Sequence, residues 1–159
     1  MRTVGWFRLL RVALLLLLHG VASAGIVPQS VREELFSRAL EGFWGRAQMP
    51  DGKLILPASE DERRVLPVSN NVANDAFDRG ELSGLAEWCG LDWKANFRAL
   101  TRNARQNGQS EKQVAFISVL HGVAQGTVAS AMARAGPCQP PEREKVRAQL
   151  AGLLAREAK

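Results

Sequence analysis

The residues best suited to chemistry lie in the segment LSGLAEWCGLDW, residues 82–93, where Cys89 stands between two tryptophans and two acidic residues. A cysteine thiolate can serve as a nucleophile beside a base, as a metal ligand or as half of a disulfide. Beyond the first 24 residues the chain contains one other cysteine, Cys138, and one histidine, His121. Cys89 could therefore act in catalysis with His121, bind a metal, or pair with Cys138.

The N-terminal sequence MRTVGWFRLLRVALLLLLHGVASAG predicts the compartment in which these thiols reside. Three arginines precede a short apolar run at residues 12–18, and the small residues Ala-Ser-Ala follow at 22–24. This order is typical of a secretory signal peptide that is removed before Gly25. The apolar run is shorter than the roughly 20 residues that a membrane-spanning helix needs, although a retained anchor is the competing interpretation. We expect a signal peptide at 1–24, a helical domain at 25–159, and a periplasmic or secreted product without a transmembrane segment.

Export favours a disulfide as the use of the two cysteines. Thiols that share an oxidising compartment usually pair, and the mature chain has two of them. The helices predicted at 92–107 and 111–136 are joined by a short connection, which favours an antiparallel hairpin. Cys89 lies just before the first of these helices and Cys138 just after the second. We predict an intramolecular Cys89–Cys138 disulfide that closes the open end of this hairpin.

The catalytic and metal-binding interpretations receive less support from the residues available. His121 falls on an apolar helical face, where a hydrogen-bonded core histidine is commoner than a general base. Two cysteines and one histidine at wide spacing match no zinc pattern. Glu87 and Asp92 flank Cys89 and could suggest glycoside hydrolysis, but almost any helical domain supplies such pairs as solvated or capping acids. We expect no catalytic residue, no metal and no cofactor.

Apolar residues that recur at intervals of three and four predict an all-α fold: a single compact domain of five to six helices that includes the disulfide-linked hairpin. Serines at 30, 59 and 110, each followed three residues later by Glu or Gln, are capping-box signals that predict three helix starts. Gly80 is expected to end the helix that begins at Ser69, so that residues 81–89 form a separate short helix. A final amphipathic helix is predicted to follow Pro140 and Pro141.

A line of small residues on the helix predicted at 111–136 indicates close packing. Ser118, Gly122, Gly126 and Ser130 recur at every fourth position. Each glycine inside a helix costs about 1 kcal/mol relative to alanine, so a compensating contact is expected. Charged and polar residues interrupt this segment too often for a membrane dimer face. We therefore predict that a neighbouring helix of the same domain packs closely against these small residues.

One surface of the predicted helix at 92–107 is unusually basic. No acidic residue occurs between Asp92 and Glu111, whereas four basic residues follow one another at intervals of four, four and three. This basic stripe consists of Lys94, Arg98, Arg102 and Arg105. Such a stripe is either an ordinary solvated face or a site for an anionic envelope component or an acidic protein partner.

The net charge of the chain falls when the leader is removed. Three of the 21 basic residues and none of the 16 acidic residues lie in residues 1–24, which lowers the formal net charge from +5 to +2. A nearly balanced exported chain gives little reason to expect a nucleic-acid partner. We expect an exported, non-enzymatic helical protein of the bacterial cell envelope that binds a protein partner or an anionic envelope component. The alternative is a small cell-envelope hydrolase that uses a carboxylate or a Cys/His site.

Overall fold

Six α-helices account for most of residues 25–157, the part of the chain that the computed structural model describes. They are α1 (Gln29–Phe43), α2 (Glu60–Arg64), α3 (Asn70–Trp88), α4 (Lys94–Gln106), α5 (Glu111–Ala135) and α6 (Pro140–Glu157). The extended pairing in this part of the chain is limited to one antiparallel bridge between Gln48 and Leu54. The predicted all-α fold is confirmed, and the predicted signal peptide lies outside the described residues.

Serine side chains cap the N-termini of three of the helices. Ser59 accepts a hydrogen bond from the backbone N–H of Glu62, and Ser69 caps α3 in the same way. Ser110 forms a complete capping box at the start of α5. The N-cap predicted at Ser30 is wrong, because Pro28 stands at the N-cap position two residues earlier and α1 begins at Gln29. Proline has no side-chain hydrogen-bond acceptor, so α1 begins without a side-chain cap.

The structure corrects the predicted helix break at Gly80. Helix α3 continues through this residue to Trp88, so the two predicted helices form one helix of 19 residues. A Cβ built on Gly80 would lie 2.4 Å from the carbonyl oxygen of His121, and one built on Gly84 would lie 2.6 Å from the carbonyl oxygen of Gln125. The two glycines therefore allow the backbones of α3 and α5 to approach closely, and this contact outweighs their poor helix propensity.

The packing predicted for the small residues of α5 is wrong. Gly122 and Gly126 are exposed. A Cβ built on either one would meet nothing within 4 Å among the described residues, apart from the backbone of α5 itself. The close contact is instead made by the glycines of α3, against a different face of α5.

Helices α3 and α5 run parallel to each other at the centre of the fold. Gly80 lies beside His121, Gly84 lies beside Gln125, and Trp88 Nε1 donates to the Gly136 carbonyl oxygen at 2.8 Å. The other long helices, α1, α4 and α6, run in the opposite direction around this pair. The largest fully buried apolar side chains of the core are Phe43, Phe77, Phe116, Ile117 and Leu120.

The predicted disulfide between Cys89 and Cys138 is confirmed. It joins the C-terminal end of α3 to the segment between α5 and α6, and the two Cα atoms are 5.1 Å apart. A small second core surrounds it, in which Val146 and Leu150 of α6 pack near Ala86. The bridge thus holds the start of α6 against the central helix pair.

Helix α5 is long and apolar enough to cross a membrane by length and composition. Of its most apolar window, 44% is buried inside the fold. Its buried face supplies Val114, Ile117, Leu120, Ala124 and Val128 to the core, so its hydropathy reflects a central position in the bundle.

Candidate functional site

A buried polar network lies where α3, α4 and α5 meet. Ser83 Oγ and His121 Nε2 are 2.9 Å apart, and Asn96 Nδ2 donates to the same Ser83 oxygen at 2.9 Å. Ser83 and Asn96 are fully buried, and His121 is 1% exposed. The His121 ring also lies near the rings of Trp93 and Phe97, with centroid distances of 6.3 and 5.0 Å. Three helices are therefore joined by one set of hydrogen bonds.

The network continues through a buried arginine to the end of α6. Arg79 Nε donates to Asn96 Oδ1 at 3.1 Å, and Asn96 Nδ2 donates to the Arg79 carbonyl oxygen at 2.8 Å. The guanidinium of Arg79 also pairs with the carboxylate of Glu157, with Nη2 and Oε2 2.8 Å apart. Because Arg79 is only 5% exposed, the Glu157 carboxylate supplies the negative charge that a buried guanidinium requires.

The environment of His121 keeps its imidazole neutral at neutral pH. Desolvation by burial, together with the positive charge of Arg79, lowers the pKa of His121 to about 4. A neutral histidine beside a serine hydroxyl is the pairing used to activate a nucleophile. Here both groups are shut off from solvent, so a substrate has no path to them. The prediction of a hydrogen-bonded core histidine is confirmed.

We expect acid to destabilise the protein through His121. As the pH falls below about 6.5 the unfolded histidine binds a proton, whereas the folded histidine resists protonation until about pH 4. The stability present above pH 6.5 is therefore lost in this window, by about 3 kcal/mol at its lower end. His121→Gln keeps a hydrogen-bonding side chain and does not titrate. Urea unfolding at pH 7 and pH 4 should show a smaller acid loss in the variant, and an equal loss in both proteins would contradict this assignment.

The other residues of the sequence-predicted catalytic alternatives have structural partners. The Cys89 sulfur is bonded to Cys138 and is not a free thiol. Glu87 Oε2 accepts a hydrogen bond from Gln125 Nε2 at 2.6 Å, which ties α3 to α5. Asp92 Oδ1 accepts from the backbone N–H of Lys94 at 2.9 Å, at the start of α4. Both acids therefore have supporting contacts, but the N-cap residue of α4 is Trp93 and not Asp92.

A groove of about 800 Å³ runs between α3 and α6. Its wall includes Asp75, Asp78, Arg79, Glu81, Trp88 and Lys145. Burial raises the pKa of Asp75; Arg79 opposes this shift, and the negative charges of Glu157 and Asp78 add to it. The Asp75 side chain still reaches solvent. The groove therefore contains one accessible carboxyl group that protonates more readily than an ordinary aspartate.

The four residues of the predicted basic stripe on α4 do not share one environment in the structure. Lys94, Arg98 and Arg102 are exposed and form no ion pair within residues 25–157. They are spaced one every four residues, which sets them about 6 Å apart along the helix axis. Arg105 instead binds the Glu111 carboxylate through Nε and Nη2, at 2.9 and 3.1 Å. Three of the four predicted residues thus form an open row of positive charge, which we call the α4 basic row.

The opposite face of α4 fixes the orientation of this row. Asn96, Ala99, Leu100 and Ala104 are its buried residues. Asn96 is held by the polar network, so α4 has little freedom to rotate about its axis. The α4 basic row consequently faces away from the central helix pair.

Sequence reasoning missed the polar network and one charged cluster. Placing a helix end at Gly80 separated Arg79 from Ser83, although both lie on the same side of α3 with an interval of four residues. The missed charged cluster, which we call the N-terminal cluster, consists of Arg32, Asp78 and Glu81. Continuing the predicted helix past Gly80 would have placed Arg79 and Ser83 one turn apart on the same side of α3.

Comparison with known proteins gives no further guide to the site: no protein-family model, curated protein or solved structure matches this chain. In the described part of the chain, His, Cys, Asp and Glu side chains form no group of three that could hold a metal ion. The α4 basic row and the groove between α3 and α6 are accessible to solvent and could each meet a ligand.

Proposed function

We propose that the protein is exported to the bacterial cell envelope and binds an anionic envelope component through the α4 basic row. The observation that carries this proposal is the exposure of Lys94, Arg98 and Arg102 on one helical face, without an ion-pair partner in residues 25–157. Like charges four residues apart repel each other by a few tenths of a kcal/mol per pair. An anionic ligand would relieve this repulsion.

The magnitude of the electrostatic attraction supports an extended anionic surface as the ligand. A basic side chain close to an anionic lipid surface contributes about 1 kcal/mol. Three of them in a row about 12 Å long give a weak, reversible attraction that weakens with salt. Phospholipid headgroups of the envelope have the matching chemistry.

Two features support export and a role without catalysis. A disulfide is typical of proteins that fold in an oxidising compartment, and the leader-like sequence at 1–24 leads to the same compartment. The chain's Ser–His pair is buried and its thiols are bonded to each other. Binding needs neither of these groups.

The proposal predicts that charge reversal on α4 abolishes binding to anionic vesicles. We expect the chain beginning at Gly25 to bind vesicles that contain phosphatidylglycerol, more tightly at 50 mM than at 200 mM NaCl. Arg98→Glu/Arg102→Glu should weaken this binding at least tenfold, since two attractive charges become repulsive and each contributes about 1 kcal/mol. Sedimentation with vesicles measures the bound fraction, and phosphatidylcholine vesicles give the uncharged reference.

A matched control keeps the change in net charge and moves it away from α4. Arg46 and Arg64 are exposed and lie outside this helix. Arg46→Glu/Arg64→Glu should therefore retain most of the binding. Equal binding by both double variants would exclude the α4 basic row as the site. If vesicles are not bound at all, and cross-linking to an acidic envelope protein is lost only in the α4 variant, the ligand is a protein partner.

A second candidate function is supported by the groove between α3 and α6. Asp75 provides an accessible carboxyl group whose pKa is raised, and such a group is suited to general acid catalysis. This keeps the carboxylate form of the hydrolase alternative, whereas the Cys/His form lacks a free thiol. Hydrolysis of envelope glycans or peptides by the purified protein, lost in Asp75→Asn, would favour this candidate over binding alone.

A further inference from the structure

The beginning of the described chain is held by a buried carboxylate of α3. Glu81 is 4% exposed, and its carboxylate accepts hydrogen bonds from the backbone N–H groups of Ile26 at 3.0 Å and Val27 at 2.9 Å. Val27 then enters the main core. Two successive backbone donors that converge on one carboxylate fix the path of the chain immediately after the predicted cleavage position.

Gly25 lies directly against the N-terminal cluster. A Cβ built on this residue would be 2.1 Å from Arg32 Nη2 and 3.0 Å from Glu81 Oε2. The Gly25 nitrogen is bonded to the same Cα, so it lies within about 5.5 Å of that carboxylate oxygen. By the same construction it lies within about 4.6 Å of Arg32 Nη2, so a positive charge on this nitrogen would be attracted by Glu81 and repelled by Arg32.

The charges of the N-terminal cluster are unbalanced. Arg32 supplies one positive charge, and it pairs with Asp78 at 2.6 Å and with Glu81 at 3.3 Å. Two carboxylates thus share one guanidinium, which leaves one negative charge in excess. Asp78 is more than half exposed, but the Glu81 side chain is almost completely buried. A second cation at Gly25 would balance the buried carboxylate.

We propose that removal of residues 1–24 creates an α-ammonium group at Gly25 that binds the Glu81 carboxylate. The N-terminal cluster is then the binding site for the amino terminus of the mature chain. In the precursor the Gly25 nitrogen belongs to an uncharged amide and cannot supply this charge. Cleavage therefore strengthens the attachment of the chain start to α3. This inference rests on the proposed removal of the leader and is independent of what α4 binds.

The experiment compares two forms of the chain that differ at the Gly25 nitrogen, which is charged in one form and an uncharged amide in the other. One begins at Gly25 with a free amine, and the other carries an acetyl group on the same nitrogen. At pH 6 the free-amine form should melt about 3–6 °C higher. An ammonium that gains an anionic partner has its pKa raised, so this stabilisation is complete below the unfolded pKa of about 7.7–8.0 and disappears by pH 10.

Glu81→Gln provides the specificity control, because it removes the negative charge and keeps a side chain of similar size. Its free-amine and acetylated forms should melt at the same temperature. If this variant does not fold, NMR titration of Gly25 in the wild-type protein replaces it, and a midpoint above about 8 is expected. Equal melting of the two wild-type forms at pH 6, or an ordinary titration midpoint, would overturn the proposal.

The cleavage itself is tested separately. The intact mass of protein recovered after export from a bacterial host should correspond to a chain that begins at Gly25 with Cys89 and Cys138 oxidised. A different first residue would overturn the inference about the N-terminal cluster. The vesicle assay with the α4 variants uses a chain made to begin at Gly25, so its result stands apart from this one.

Discussion

Gly80→Ala should destabilise the protein by about 3 kcal/mol, a large effect for a single added methyl group. The new Cβ would lie 2.4 Å from the carbonyl oxygen of His121 and 2.7 Å from the Ala124 Cβ. Neither atom belongs to the flexible end of a side chain, so α3 and α5 would have to separate. Separation would also strain the hydrogen bond between Ser83 and His121. Urea unfolding followed by far-UV circular dichroism measures the loss.

Gly122→Ala and Gly126→Ala provide matched controls on the partner helix. Both positions lie inside α5 and neither Cβ would meet a neighbour within 4 Å among the described residues, beyond the backbone of α5. Each change should leave stability unaltered or increase it by up to about 1 kcal/mol, because alanine has the better helix propensity. If Gly80→Ala proved as stable as these controls, the close approach of α3 and α5 would be wrong.

The contrast between these glycines explains why the sequence predicts the helices well and their packing poorly. A glycine inside a helical pattern is compatible with a helix end, a close contact or an exposed position. At Gly80 the local signal favours a helix end, and at Gly122 the four-residue spacing favours a contact. In the structure Gly80 makes the close contact and Gly122 is exposed. The residue that Gly80 contacts, His121, lies about 40 positions away in the sequence, so the local pattern does not reveal it.

The candidate site likewise has parts that the local sequence predicts and parts that it does not. The exposure of Lys94, Arg98 and Arg102 follows from the amphipathic period of one helix, and local sequence is enough to predict it. The pairing of Arg105 with Glu111 spans a turn and was not predicted. The polar network joins α3, α4 and α5, so no single segment contains its signal. A buried histidine was predictable, but its serine partner was not.

Removing the disulfide should lower the free energy of unfolding by about 4 kcal/mol. The bridge closes a long loop, because Cys89 and Cys138 are 49 positions apart, and such a loop restricts the unfolded chain strongly. The change is Cys89→Ala/Cys138→Ala, which avoids burying an unpaired hydroxyl at the Cys89 position. The urea midpoint should fall, and reductant should lower the midpoint of the wild-type protein but not that of the double variant. Alkylation of the non-reduced wild-type protein should find no free thiol.

The loss of stability on removing the disulfide should be uneven across the fold. An uneven loss indicates that the bridge anchors α6 locally, whereas an even loss indicates only an entropic constraint on the unfolded state. The start of α6 is attached to the bundle by the bridge and by the small core of Val146 and Leu150, whereas its end is attached through Glu157 and Arg79. Without the bridge, hydrogen exchange should accelerate most at residues 137–150 and least in the core of α3 and α5. Uniform acceleration throughout the chain would contradict the anchoring role and leave only the effect on the unfolded state. A folded protein in which α6 alone is loosened would identify the bridge as the feature that holds this helix over the groove lined by Asp75.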